Sequence, residues 1–130
     1  MNKLLIVDDE ESVRSIFADL LKRRNFSVTS VGSAEEALGL VEKENYEIVL
    51  LDIKLPGISG IEALRQIKLK KPKTIVIMIT GFSYDEELIA KSKELGCDGY
   101  IGKNLPIEQV MNNLDLFINA TKERLKRNKQ

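Results

Sequence analysis

Residues 48–57 read Ile48-Val49-Leu50-Leu51-Asp52-Ile53-Lys54-Leu55-Pro56-Gly57. The opening four are apolar without interruption. A strand with one wet face alternates apolar and polar residues, whereas a strand covered by helices on both sides of a parallel sheet does not. The shortness and β-branched content of the run favour a strand over a buried helix. Two more runs have the same character, Leu4-Leu5-Ile6-Val7 and Ile75-Val76-Ile77-Met78-Ile79, and weaker strand signals lie at 27–31 and 99–101.

Working outward, the intervening segments carry helical spacing. Val13, Ile16, Phe17, Leu20 and Leu21 mark one face of a helix over about 10–24. Ser33-Ala34-Glu35-Glu36 is a capping box opening a helix with Ala37, Leu38 and Val41. Ile61, Leu64 and Ile67 mark a third helix, and Leu88, Ile89 and Leu95 a fourth that ends at Gly96. Pro106 suits the first position of a fifth, followed by Ile107, Val110, Met111, Leu114, Phe117 and Ile118. Strand then helix, five times over, predicts an α/β fold: a doubly wound (βα)5 sandwich, its five-stranded parallel sheet covered by helices on both faces.

The chain of 130 residues suits one domain, expected over 1–120, with 121–130 as a basic polar tail or the start of a linker. Lys plus Arg and Asp plus Glu both total 20, which leaves no basic field for nucleic acid. Cys97 is the one cysteine and histidine is absent, which excludes a disulfide framework, thiolate or imidazole metal sites, and histidine triads. Neither a signal peptide nor a membrane-spanning run is present in the sequence, so a cytoplasmic protein without membrane association is expected.

Ligands of open α/β sheets bind beyond the carboxyl ends of the strands. The first strand ends in Asp8-Asp9, the third in Asp52, the fourth in Thr80, and the fifth is followed by Lys103. Each alone has an ordinary explanation. Asp9, Glu10 and Glu11 suit a helix start, Asp52 a turn, and Lys103 a solvated surface. Together they place three carboxylates, a hydroxyl and an ammonium on one edge. Crowded carboxylates repel unless a cation joins them, and an all-oxygen set suits Mg²⁺, with Mn²⁺ as a substitute. Beside such an ion, Asp52 is placed to attack a phosphoryl group, while Thr80 and Lys103 meet its oxygens.

With these residues in this order, the sequence resembles the receiver domain of bacterial two-component response regulators over roughly residues 3–120. The likeness rests on Leu4-Leu5-Ile6-Val7-Asp8-Asp9-Glu10, Val49 through Gly57, Ile79-Thr80-Gly81 and Tyr100-Ile101-Gly102-Lys103. It implies a flavodoxin-like strand order 2-1-3-4-5, with Asp52 as phosphoacceptor. It also implies Mg²⁺ on Asp9, Asp52 and the Lys54 backbone carbonyl, and on Asp8 largely through water. Thr80 and Tyr100 are implied to move on phosphorylation. The implied partners are a sensor histidine kinase or histidine phosphotransfer protein and a downstream protein or effector domain, read by the fourth helix, fifth strand and fifth helix. Lys54, Gly81 and Phe82 are expected to border the site.

The chain departs from the family pattern after Lys103, where Asn104 stands in place of the usual proline. The Lys103–Asn104 bond is therefore either trans or strained. Three other readings stand beside the switch: a receiver-like interaction module that takes no phosphate, a nucleotide-binding flavodoxin-like domain, for which the sequence has no P-loop or GxGxxG fingerprint, and a Mg²⁺-dependent aspartyl phosphatase. The last of these usually has a second acid two positions after its nucleophile, where this chain has Lys54. No turnover of an external substrate is expected.

Overall fold

The computed structural model describes residues 2–81 and 85–128. Five strands, β1 (Lys3–Val7), β2 (Ser27–Val31), β3 (Ile48–Asp52), β4 (Ile75–Thr80) and β5 (Gly99–Gly102), alternate with five helices. These are α1 (Glu11–Lys22), α2 (Ala34–Lys43), α3 (Gly60–Lys70), α4 (Glu86–Glu94) and α5 (Ile107–Asn128). The sheet is parallel throughout, in the order β2-β1-β3-β4-β5, as expected.

The uninterrupted apolar runs became the three inner strands. Apart from Lys3, every residue of β1, β3 and β4 is buried, while the edge strands β2 and β5 keep exposed or half-buried positions. Successive strand residues point to opposite faces, so each run feeds two cores. Leu5, Val7, Val49, Leu51 and Met78 pack against Ala37, Val41, Leu64, Ile67 and Ile89 of α2–α4. Leu4, Ile6, Leu50 and Ile77 pack against Phe17 and Leu21 of α1 and Val110, Leu114 and Ile118 of α5. Each such side chain contributes roughly 1.5–3 kcal/mol relative to exposure, which is why the inner strands dominate the fold.

One helix-face expectation is corrected. Ile16 does not join the core; it is 52% exposed, and Phe17 and Leu21 carry the buried contact of α1. At about 100° per residue, Ile16 lies roughly 120° around the helix from the midpoint of those two. Five apolar residues spanned a wider arc than the sheet covers.

The helix ends are set by side chains. Ser33 Oγ accepts from Glu36 N–H at 3.2 Å, but the Glu36 carboxylate reaches Gly32 N–H (3.1 Å), one residue earlier than a closed box. Ser59 caps α3 through Glu62 N–H (3.2 Å), and Asp85 caps α4 through Glu87 and Leu88 N–H. Pro106 stands one position before α5 and accepts from Val110 N–H. Residues 121–128 continue α5: Thr121 is buried, its hydroxyl donating to the Phe117 carbonyl at 2.8 Å, and Leu125 packs on the core.

Candidate functional site

The site forms where β1, β3, β4 and β5 end side by side. Asp8 follows β1 directly and has no exposed surface; its N–H donates to the Val31 carbonyl of β2. Asp8 Oδ1 accepts from Glu10 N–H at 2.9 Å, which turns the chain into α1, and Arg14 donates to the Asp8 carbonyl at 2.7 Å. Asp52 closes β3 and is 4% exposed. Its Oδ1 accepts from Lys54 N–H (3.2 Å) and its Oδ2 from Lys103 Nζ (2.9 Å).

α3 can begin this close to Asp52 because Gly60 has no side chain. A Cβ there would lie 1.9 Å from the Asp52 carbonyl oxygen. Lys103 is anchored by its own N–H, which donates to the Thr80 carbonyl at 2.8 Å. No cis peptide bond occurs among the described residues, so Lys103–Asn104 is trans, and the ammonium still reaches the acids. Lys103 Nζ lies 2.7 Å from Asp8 Oδ2 and 3.3 Å from Glu10 Oε1.

Electrostatics follow from this crowding. Burial pushes the Asp52 carboxyl above its ordinary range; the Lys103 contact opposes the shift and the Asp8 charge adds to it. For Lys103 burial works against the charge, but the contacts to Asp8 and Asp52 outweigh it and hold the ammonium above the ordinary lysine range. Asp8 Oδ2 is buried without a hydrogen bond: Lys103 sits within ion-pair distance at angles that do not make one. Asp8, Asp9 and Glu10 each offer a carboxylate oxygen within 4.8 Å of the others. A buried carboxylate oxygen held by an ion pair alone, beside two more carboxylates, fits a hard divalent cation. Asp52 stands outside that tight group and joins it through Lys103.

The edge opens as a pocket of about 240 Å³ lined by Asp9, Asp52, Lys54, Thr80 and Lys103 among others. Thr80 is 8% exposed, and its hydroxyl spends its proton on a long 3.4 Å contact with the Ile101 carbonyl. Gly81 lines the pocket too, while Phe82 lies outside the described residues. Tyr100 is half-buried on β5, its ring 5.0 Å from Lys93 Nζ. Two residues that matter here were not anticipated. In the sequence Glu10 reads as a helix-start acid, although it is the third acid in an unbroken run. Gly60 left no signal, since its role is set by the nearness of β3.

A family model for the response regulator receiver domain matches residues 4–115. The chain belongs to this family. The receiver domain is a phosphoryl-accepting signalling switch that works with histidine kinases or phosphotransfer proteins and with effector domains, and Mg²⁺ binding is typical of it. Among relatives, sporulation initiation phosphotransferase F of Bacillus subtilis is 32% identical over 83% of this chain and 86% of its own length. A cyclic di-GMP phosphodiesterase of Thermotoga maritima is 36% identical over 81% of the chain, which spans only 28% of that protein. The chain likewise spans 45% of the transcriptional regulatory protein ResD of Bacillus subtilis. A solved CheY-like receiver domain from Methanospirillum hungatei superposes with a TM-score of 0.87 at 27% identity, covering 95% of this chain and 98% of that one. No helix among the described residues of this receiver domain is long and apolar enough to cross a membrane.

Proposed function

We propose that Asp52 takes the phosphoryl group in this receiver domain, from a histidine kinase or histidine phosphotransfer protein. An Asp52 oxygen attacks phosphorus, the bond to the donor breaks, and the leaving group departs with the bonding electrons. Asp8, Asp9, Asp52 and the Lys54 backbone carbonyl would hold Mg²⁺, which neutralises charge on the transferring group when bound. Lys103 meets one phosphoryl oxygen as a compact cation, and the Thr80 hydroxyl turns from the Ile101 carbonyl to donate to another. Tyr100 follows Thr80 inward, and α4, β5 and α5 present the change to a partner.

Moving such a two-state equilibrium almost completely takes about 5.5 kcal/mol of differential binding. Hydrogen bonds to charged groups contribute about 1.5–3 kcal/mol each, so Thr80 and Lys103, with the charge of a bound cation beside them, supply a sum of that order. The observation that carries this reading is the single ammonium of Lys103, 2.7 Å from Asp8 and 2.9 Å from Asp52 on two buried acids from different strands. Intact-mass measurement after acetyl phosphate treatment tests it. One phosphoryl group per chain is expected with Mg²⁺ and none with chelator or with Asp52→Asn. Undiminished incorporation in Asp52→Asn would remove Asp52 from the role.

A further inference from the structure

We propose that Glu10 is a positioning residue for Lys103, steering the ammonium toward the phosphoryl position; this rests on the proposed function of Asp52. A lysine ammonium has three N–H donors and no acceptor. Here three carboxylates surround it, Asp8 at 2.7 Å, Asp52 at 2.9 Å and Glu10 at 3.3 Å. Two of those three have other work. Asp8 is a candidate cation ligand, Asp52 is both a candidate ligand and the acceptor, and neither keeps its full charge for Lys103 once a cation and a phosphoryl group arrive. Glu10 stands outside the proposed ligand set of Asp8, Asp9, Asp52 and the Lys54 carbonyl, and in that arrangement its charge stays with Lys103.

Position and exposure suit Glu10 to the task. Its carboxylate is 60% exposed at the pocket rim, whereas the Lys103 side chain is 11% exposed. The ordinary reading, an acid serving the start of α1, is weakened because Glu10 occupies the N-cap position without making a side-chain cap hydrogen bond. Lys103 is also followed by Asn104, so no ring fixes the backbone beyond it. A side-chain contact is left to aim the ammonium. The main rival role is that of a cation ligand, since the Glu10 carboxylate lies within 4.8 Å of those of Asp8 and Asp9.

The test is a double-mutant cycle on the full chain, using Glu10→Gln, Lys103→Ala and the pair. Acetyl phosphate is the donor, intact mass reads phosphorylation rate at saturating Mg²⁺, and calorimetric titration reads Mg²⁺ affinity. Glu10→Gln is expected to slow phosphorylation about 2- to 5-fold, the worth of a partly exposed ion pair. Its effect on Mg²⁺ affinity should be less than about twofold, and it should add nothing when Lys103 is already alanine. Thermal melts in chelator should show the same pair as non-additive. An equal loss in both backgrounds, or a loss confined to Mg²⁺ affinity, overturns the proposal. If the unaltered chain takes no phosphoryl group, the parent reading fails with it. If the unaltered chain is phosphorylated and Glu10→Gln matches it, only the role of Glu10 is lost.

Discussion

At Asp52, burial and pairing pull in opposite directions, and burial wins. Its carboxyl titrates above the ordinary value of 3.8 in the folded chain, so the folded state holds that proton more readily than the unfolded state does. Ionised Asp52 therefore costs stability at pH values above its folded pKa, and the cost vanishes as pH falls below 3.8. Asp52→Asn is accordingly expected to raise the thermal midpoint at pH 7 in chelator, with the gain shrinking toward zero as the buffer approaches pH 4. Added Mg²⁺ should narrow the gap by stabilising the unaltered chain more than the variant. Calorimetric melts over that pH range check it, and a variant less stable than the original at pH 7 would mean that Lys103 depends on Asp52 more than burial opposes it. Asp8, Asp52, Thr80 and Lys103 were legible in the sequence because each sits at a strand end, where the topology alone fixes its edge. Glu10 was not, because its contact with Lys103 joins residues 93 positions apart through side-chain reach.

At the scale of elements, legibility tracked burial. The inner strands announced themselves because both faces are covered, whereas β2 and β5 gave weak signals because edge strands keep wet positions. Ile16 misled because apolar character on a helix does not reveal how wide a stripe the sheet will cover. The junction of β3 and α3 was invisible for a related reason. Gly60 lies where a helix start presses on the backbone of another element, with only 1.9 Å between an added Cβ and the Asp52 carbonyl oxygen. Backbone cannot rotate away as a side chain can. Gly60→Ala is therefore expected to cost at least about 3 kcal/mol in urea unfolding, at the severe end of overpacking. Removing the adjacent cap with Ser59→Ala should cost only about 1 kcal/mol, because water can replace the lost acceptor. Equal costs for the two would show that α3 shifts freely relative to Asp52.

Across the whole molecule, the edge opposite the site is tied by a third acid with a buried side chain, Asp98. The Asp98 side chain is 2% exposed and accepts from Val76 N–H (2.8 Å) and Lys68 Nζ (2.8 Å), while Arg124 donates to its other oxygen at 2.6 Å. It thus joins α3 on one face of the sheet, the start of β4, and α5 on the other face. The Arg124 side chain is 55% exposed and that of Lys68 17%, so solvent screens the Arg124 pair more strongly. Arg124→Ala is expected to cost under about 1 kcal/mol, and Lys68→Ala more. Asp98→Ala should cost about 3–5 kcal/mol, because it strands a buried N–H and leaves two cations without their shared acid. Ending the chain at residue 120 removes Arg124 together with buried Thr121 and core-packed Leu125, so it should cost more than Arg124→Ala alone. Urea unfolding of the four variants gives the order. A shortened chain as stable as the original would mean that the last turns of α5 contribute nothing to the domain, and that the ion pair at Asp98 is geometry without energy.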